Sequence, residues 1–263
     1  MSVDEQPHRL QPVPGAVAFE AAADTSPRPT LLGDRFVALG EVTLCSGFPT
    51  QLGVILLLNL IGAAPVDAAG RLSLPYIVWL SLADTTLVLL LIWLLLRARG
   101  ERLVTTFVGA RPAGGEVLLG LALVPVALLV AAVAFGVMSR VAPGLHNVPE
   151  NPLEALIRSP AAVVWFSVIA VIAGGLREEV QRAFILRRFE QHLGGGVAGL
   201  IVFSVAFGLG HLIQGRDAAI VTALLGAVWG AVYLTRRSVV APMVCHAIFN
   251  LIQVAIAFNA RAG

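Results

Sequence analysis

Six polar residues stand out because they fall in or beside long apolar runs of the C-terminal half. They are Glu178, Glu179, Arg182, His211, His246 and Asn250. Ionisable residues inside a membrane span are costly, so each is a candidate functional residue, and acids and imidazoles in that setting can form proton relays. An acid, two imidazoles and an amide from three helices could therefore line one wet cavity.

Spacing places several of these residues on common helix faces. His246 and Asn250 are four residues apart, and residues with this spacing are neighbours on a helix surface. Glu178 and Arg182 have the same spacing, in the orientation that favours an ion pair. The pattern predicts a Glu178–Arg182 pair on one helix and a His246–Asn250 face on another.

These residues can meet only if the helix that carries Glu178 continues well past it. A helix that ended at Arg177 would leave the acids at the membrane surface. The first turn signal is the run 193–196, so we expect the helix to extend to about His192. Glu178 then lies about 20 Å before the turn, and His211 lies about 22 Å after it, at 1.5 Å per residue. The two side chains are predicted at similar depth.

Composition explains why these runs are assigned to a membrane. Hydrophobic residues make up 57% of the 263-residue chain and charged residues 13%, whereas soluble domains carry about 25% charged residues. The apolar runs reach the roughly 20 residues that a spanning helix needs, and the backbone in lipid must satisfy its own hydrogen bonds. A net charge of +2 gives no indication of nucleic-acid binding.

The predicted fold is an all-α, polytopic membrane helix bundle with about seven transmembrane helices. The segments are Phe36–Ala63, Leu74–Leu96, Val117–Met138, Ala161–Arg187, Val197–Ile213, Ala218–Leu234 and Val239–Phe258. Small residues on the fifth segment, namely Gly199, Gly208 and Gly210, predict close approach of a neighbouring helix. The two cysteines, Cys45 and Cys245, are expected to pack in the core rather than to form a disulfide.

The distribution of arginine predicts the orientation. Eleven of the 18 basic residues fall in the N-terminal tail and the loops expected on its side, and five fall on the opposite side. By the positive-inside rule the N-terminus is cytoplasmic. We therefore expect an integral protein of the bacterial inner membrane, with the lipid bilayer as its surroundings and a disordered cytoplasmic tail over residues 1–33.

Three motifs lie in order along the last four segments. They are Glu178-Glu179 with Arg182, the run Phe207-Gly-Leu-Gly-His211, and the run His246-Ala-Ile-Phe-Asn250. Together they resemble the motifs of the CPBP family, which contains CAAX prenyl endopeptidases and bacteriocin-processing or self-immunity membrane proteins. The resemblance covers about Ala161–Phe258. It divides the chain into N-terminal membrane helices over 34–159 and a CPBP-like catalytic bundle over 160–260.

The first motif departs from the family pattern by one residue. In the family three residues separate the acid pair from the arginine, and here only two intervene before Arg182. Alignment on Arg182 places Arg177 and Glu178 at the two acid positions, whereas alignment on the pair places Glu178 first. Glu178 occupies an acid position in both alignments, so it is preferred over Glu179 as the acting acid.

The resemblance implies an endopeptidase that hydrolyses a peptide bond of a membrane-associated protein or peptide. Glu178 would be the general base on a water molecule, with its acidity tuned by burial and by Arg182. His211 would help hold the water, and His246 and Asn250 would stabilise the oxyanion. No cofactor is required. A Zn²⁺ site of Glu178, His211 and His246 is the alternative, disfavoured because the His-Glu-x-x-His motif is absent.

Other interpretations of the polar residues stay open. Each histidine could be an interhelical hydrogen bonder, and the Glu-Arg cluster could be a structural pair at the cytosolic interface. The protein could then be a catalytically inactive CPBP-like scaffold or immunity factor. A transporter is a further alternative, although no internal repeat supports it.

Five more polar sites have structural expectations. Glu41 and Asp84 lie in the first two spans, where each could form a cavity wall or join helices. The pair Arg187–Arg188 is expected to anchor the helix at the membrane interface. His146 and His192 are expected in solvated loops and turns.

Overall fold

The structure is a computed structural model that describes residues 32–68 and 70–262. Regular secondary structure in this part of the chain is helical, which confirms the all-α class, and an isolated bridge joins Val66 to Leu72. Leu32 and Gly33 begin the first helix. The rest of the predicted disordered tail lies outside the described residues.

Nine α-helices occur in the described ranges. They are α1 Leu32–Leu44, α2 Phe48–Leu60, α3 Leu74–Ala98, α4 Ala113–Val141, α5 Pro160–Ile169, α6 Glu178–His192, α7 Gly196–Leu209, α8 Arg216–Arg236 and α9 Val240–Ala262. Two π-helical segments, Val104–Val108 and Ala170–Arg177, and three short 3₁₀ turns, Pro143–Leu145, Glu154–Leu156 and Leu212–Gln214, complete the helical elements.

The first predicted span is broken into two helices. α1 and α2 meet at an angle of 42° across the break at residues 45–47. Gly47 has φ +86°, a conformation that glycine adopts without steric cost, and Pro49 begins the first turn of α2. Gln181 donates a hydrogen bond of 2.7 Å to the Cys45 carbonyl, which satisfies an acceptor exposed by the break. The single helix expected over Phe36–Ala63 was therefore wrong in detail.

The number of full spans is smaller than expected. Within the described residues, five helices are long and apolar enough to cross a membrane, or six if the bent pair α1–α2 is one span. The predicted fifth segment, Val197–Ile213, forms the 14-residue helix α7, which is shorter than a spanning helix. Its side chains Val197, Ile201 and Val205 are nevertheless exposed at helical spacing. Such an apolar stripe on the outside of a bundle is suited to lipid.

The helix that carries the acids continues past Arg177, as predicted. Pro160–His192 is one continuous 33-residue helical element. Its middle, Ala170–Arg177, is π-helical rather than α-helical, and such bulges occur often at functional sites. A Cβ on Gly175 would lie 2.7 Å from the Ala247 Cβ atom, so glycine here allows α9 to pack closely.

Close packing also involves two of the three glycines expected on α7. A Cβ on Gly199 would lie 2.6 Å from the Phe189 Cβ atom, and one on Gly208 would lie 2.5 Å from the Ala219 carbonyl oxygen. Gly210 lies beyond the helix end and has no neighbour closer than 3.4 Å, so its predicted role in close approach was wrong. These contacts hold α7 against α6 and α8.

Ion pairs join the helices at one end of the bundle. Arg188 is fully buried and donates to Glu41 at 2.5 Å and to Glu101 at 2.7 Å. Arg187 donates to Glu101 at 2.6 Å. Arg188 is thus a buried link between helices and not the interfacial anchor that was predicted, and Glu41 joins helices as one of its two expected roles.

The two cysteines and two of the histidines agree with the predictions to different degrees. Cys45 and Cys245 are both free and buried, which confirms that they pack in the core. His192 is half-buried, 3.5 Å from Arg99, and so is less solvated than expected. His146 is largely exposed and contacts Asp217 at 2.7 Å.

Candidate active site

The two neighbouring acids at the start of α6 have different surroundings. The Glu179 carboxylate is buried, forms an ion pair with Arg182, and accepts a 2.7 Å hydrogen bond from His246 Nδ1. The Glu178 carboxylate lines a cavity, with its Oε2 atom 3.8 Å from His246 Nε2. Glu179 is therefore held within the protein, whereas Glu178 is accessible from the cavity.

The predicted ion pair between Glu178 and Arg182 was wrong. Arg182 pairs with Glu179, three residues earlier on the same helix face. Its guanidinium is fully buried, with its central carbon 4.8 Å from the Phe207 ring centroid and 5.6 Å from that of Trp229. This aromatic enclosure holds Arg182 away from the cavity and directs it to Glu179.

His246 is fixed on two sides. Its ring stacks on Trp229 with centroids 3.8 Å apart and an interplanar angle of 17°. Because a carboxylate accepts hydrogen bonds, the 2.7 Å contact with Glu179 places a proton on His246 Nδ1. The other ring nitrogen, Nε2, is consequently turned towards Glu178 and the cavity.

His211 lies outside regular helix, contrary to the prediction. α7 ends at Leu209, and His211 follows Gly210 in the turn before the 3₁₀ segment Leu212–Gln214. Its Nδ1 atom is 2.8 Å from the Phe207 carbonyl oxygen, and its ring packs edge-on against the Phe207 ring at 4.9 Å. The Nε2 atom of His211 is left for contacts in the cavity.

Asn250 is positioned by the π-helical segment. Its Nδ2 atom donates to the Ala170 carbonyl oxygen at 3.3 Å. A Cβ on Gly174 would clash with the Asn250 amide, and it would lie 3.9 Å from His246 Nε2. Glycine at position 174 therefore leaves the space in which the His246–Asn250 face meets the acid-bearing helix.

One cavity of about 740 Å³ joins four of the six predicted site residues. Glu178, His211, His246 and Asn250 all line it, so the residues expected at similar depth do share a chamber. Glu179 and Arg182 lie behind its wall, where they contact His246 and one another. The arrangement places an acid, two imidazoles and an amide around one cavity. The charged groups that hold His246 in place are buried next to it.

The sequence interpretation missed the guanidinium nearest to Glu178. Arg177 pairs with Asp84 of α3, and its Nη1 atom is 4.0 Å from Glu178 Oε1. Asp84 also accepts a 2.5 Å hydrogen bond from the Thr50 hydroxyl. The isolated acid in an otherwise apolar span was the available signal, and Asp84 proves to be both a cavity wall and an interhelical contact.

Trp229 is a second missed residue. It stacks on His246 and donates from Nε1 to the Cys245 sulfur at 3.3 Å. A tryptophan in an apolar helix carries no sequence signal that distinguishes this role from ordinary packing. Only the tertiary structure identifies it.

The metal alternative requires several donor side chains to converge on one point. Over residues 32–68 and 70–262, no group of three or more His, Cys, Asp or Glu side chains could hold a metal ion. Glu178, His211 and His246 share the cavity without forming such a group. His246 Nδ1 is engaged by Glu179 and His211 Nδ1 by the Phe207 carbonyl, so Nε2 is the ring nitrogen of each histidine that is left for a ligand in the cavity.

Comparison with known proteins agrees with these motifs. Residues 160–252 match the family model described as Type II CAAX prenyl endopeptidase Rce1-like. No significant match was found among curated proteins or among solved structures. The matched range contains all six site residues and the π-helical segment. The chain is thus a helical membrane protein whose segment 160–252 is similar to the Rce1-like family of type II CAAX prenyl endopeptidases, which is consistent with its resemblance to the CPBP family.

Proposed function

We propose that the protein is an intramembrane endopeptidase that hydrolyses a peptide bond of a membrane-associated protein or peptide. The observation that carries the proposal is the division of labour between two adjacent acids. Glu178 lines the cavity close to His246, while Glu179 is withdrawn to hold that histidine. A carboxylate with access to water is what a general base requires.

In the proposed reaction Glu178 accepts a proton from a water molecule that His211 helps to orient. The water oxygen attacks the scissile carbonyl carbon, and the carbonyl π electrons move onto its oxygen. Collapse of the tetrahedral intermediate expels the amine, which receives the proton held by Glu178. This sequence conserves protons and needs no redox partner.

His246 and Asn250 are proposed to stabilise the oxyanion. Since Nδ1 of His246 donates to Glu179, donation from Nε2 requires the doubly protonated ring. The carboxylates of Glu178 and Glu179 lie at opposite ring nitrogens of His246. The Asn250 amide has a second N–H besides the one that donates to Ala170.

A specific observation supports an alternative function. Arg177 stands at an acid position in one alignment of the shortened motif, and its guanidinium pairs with Asp84 beside Glu178. A cavity with that charge arrangement could serve a non-catalytic scaffold or immunity factor. Such a protein would keep its role when Glu178 is replaced, which separates it from a peptidase.

The orientation is part of the proposal. We propose a cytoplasmic N-terminus in a bacterial inner membrane, because the loops at the end that carries Arg99, Arg111, Arg187 and Arg236 contain most of the arginines. The orientation would be tested by introducing cysteines at positions 102 and 144 and labelling them with thiol reagents in intact cells. Labelling of position 144 alone by an impermeant reagent is expected.

The peptidase function is tested by comparing membrane proteomes of cells that express the wild-type protein and the Glu178→Ala variant. New peptide termini that appear only with the wild type identify the substrate. Glu190→Ala is the matched control, since Glu190 lies on the same helix and pairs with Arg237 away from the cavity. Identical termini in all three membranes would contradict the proposal.

Metal dependence is tested on the purified protein with a membrane-permeant chelator. We expect cleavage of the identified substrate to persist after exhaustive chelation, because a carboxylate base does not need a metal. Loss of cleavage on chelation and its recovery with stoichiometric Zn²⁺ would favour the metal mechanism instead.

A further inference from the structure

His211 depends on an irregular connection for its position. The connection between α7 and α8 comprises residues 210–215, where the α-helical hydrogen bonds that hold Glu178 or His246 give way to the short 3₁₀ turn Leu212–Gln214. Gly215 has φ +121°, a conformation that favours glycine and reverses the chain into α8. Within its own segment, His211 is held by contacts with Phe207. What fixes this connection therefore affects where the His211 ring stands.

Residues 146–151, which we name the strap, hold the connection and the first turn of α8. The Asn147 side-chain oxygen accepts a 2.8 Å hydrogen bond from the Arg216 backbone N–H. Asn151 Nδ2 donates to Gln214 Oε1 at 3.4 Å. These contacts reach Gln214 near the end of the connection that carries His211 and Arg216 at the start of α8.

A third contact closes the strap over the glycine turn. His146 Nδ1 lies 2.7 Å from Asp217 Oδ2. A Cβ on Gly215 would lie 2.7 Å from Asp217 Oδ1, 3.6 Å from the Val148 Cβ atom and 3.9 Å from Asn147 Oδ1. The strap and Asp217 thus surround the residue whose unusual backbone conformation sets the direction of the connection.

The strap is itself anchored to the bundle. Asn151 Oδ1 accepts a 3.0 Å hydrogen bond from the Leu153 backbone N–H, at the start of the segment that leads to Ile157. Ile157 is buried against Val254 and Ala257 of α9, the helix that also carries His246 and Asn250. Asn151 and Ile157 line the cavity as well. The strap therefore ties the His211 connection to the helix with the oxyanion groups.

We infer that the strap is a positioning element for His211, with Asn147 as its principal positioning residue. The inference rests on the proposed peptidase function, because it assigns His211 to the catalytic water. It concerns residues before the matched range 160–252, so the family match does not contain it. Asn147 acts through the backbone at the point where the connection enters α8, and it does not line the cavity itself.

A direct test follows the His211 ring in the full-length protein. The chain has five histidines, so the protein labelled with ¹³C-histidine gives few ring signals, and His211→Gln assigns the one of interest. Asn147→Ala is expected to shift or broaden the His211 signal while the His246 signal stays in place. Asn147→Asp keeps a side-chain oxygen acceptor and is expected to restore the wild-type signal.

The second readout is the rate at which the protein hydrolyses a fluorescence-quenched peptide. The peptide contains the cleavage site found in wild-type membranes. Asn147→Ala is expected to lower kcat by about 10- to 100-fold with little change in KM, since small displacements of a catalytic group have such effects. Asn147→Asp is expected to recover most of that loss. Asn259→Ala, at an exposed asparagine of α9, is the control.

The two readouts separate the inference from the function on which it rests. An unchanged His211 signal in Asn147→Ala overturns the strap, whether or not cleavage is found. A changed signal with no cleavage by the wild-type protein overturns the peptidase proposal and leaves the strap as a structural contact. If Asn147→Ala does not fold, Asn151→Asp removes the donor to Gln214 and is expected to change the same signal.

Discussion

Helix α6 carries charged side chains at both of its ends, and the surroundings of these side chains differ. Near its C-terminal end, Arg188 is buried between Glu41 and Glu101 with hydrogen bonds of 2.5 and 2.7 Å. At its first turn, Glu178 has its closest ionic contacts in the described part of the chain at 3.8 and 4.0 Å. Those separations are too long for hydrogen bonds. One end is a closed ion-pair network, and the other leaves an acid loosely held.

This difference separates a buried structural charge from the proposed catalytic acid on a single helix. A buried charge without a partner is costly, so the Arg188 network stabilises the fold only while it is complete. Glu178 avoids that cost because it faces a cavity that water can enter. Removal of Arg188 should therefore affect stability, whereas removal of the Glu178 charge should affect the proposed chemistry.

The largest effect is expected at the first turn. Glu178→Gln should lower the cleavage rate by about 100-fold or more, the usual contribution of a general base. The variant should insert and unfold like the wild type, because no ion pair closer than 3.8 Å is lost. Rate measurements with the purified variant, together with its thermal unfolding in detergent, check both parts. Full activity in Glu178→Gln combined with its loss in Glu179→Gln would reverse the assignment of the two acids.

The opposite behaviour is expected at the other end. Arg188→Leu should lower the free energy of unfolding by about 1.5–3 kcal/mol, because the buried Glu41 would lose a charged hydrogen-bond donor and keep only Arg99 as an ionic partner. The remaining folded fraction should keep its rate per molecule. The double variant Glu41→Gln/Arg188→Leu also removes the buried carboxylate, whose remaining partner Arg99 is partly exposed, and should recover part of the stability. Equal losses in the single and double variants would contradict the argument from desolvation.

Some of this arrangement follows from local sequence. The helix continues to His192 because no glycine or proline turn interrupts it before Gly194. Helical rise then predicts Glu178 and His211 at comparable depth, and in the structure both line the cavity. Such inferences succeed because they depend on the period and rise of one helix, which neighbouring helices change little.

Other features depend on contacts that no single segment encodes. Arg182 turns towards Glu179 because aromatic rings of α7 and α8 enclose its guanidinium. The π-helical segment and the break at Gly47 accommodate neighbours, namely α9 in one case and Arg177 in the other, whose Nη2 would lie 2.8 Å from a Cβ on Gly47. Apolar runs predict that helices exist, but side-chain direction and helix breaks are decided by packing.

The smallest effect is expected from Glu101, which belongs to the closed network but lies in the loop after α3. Burial alone would raise the pKa of its carboxyl, but the hydrogen bonds and charges of Arg188 and Arg187 hold the pKa below its ordinary value. A carboxyl whose pKa is lower in the folded state stabilises the fold at pH values above its unfolded pKa of about 4.3. That contribution is lost as the pH falls below about 4.3 and through the folded pKa.

Acidification from about pH 5 to pH 3 should therefore lower the Tm of the wild type more than that of Glu101→Gln. Because both proteins share every other carboxyl, the difference between the two curves isolates this group. Parallel curves would show that Glu101 titrates alike in the folded and unfolded chains, and the network at that end of α6 would then owe its stability to the contacts of Glu41 with Arg188 and Arg99.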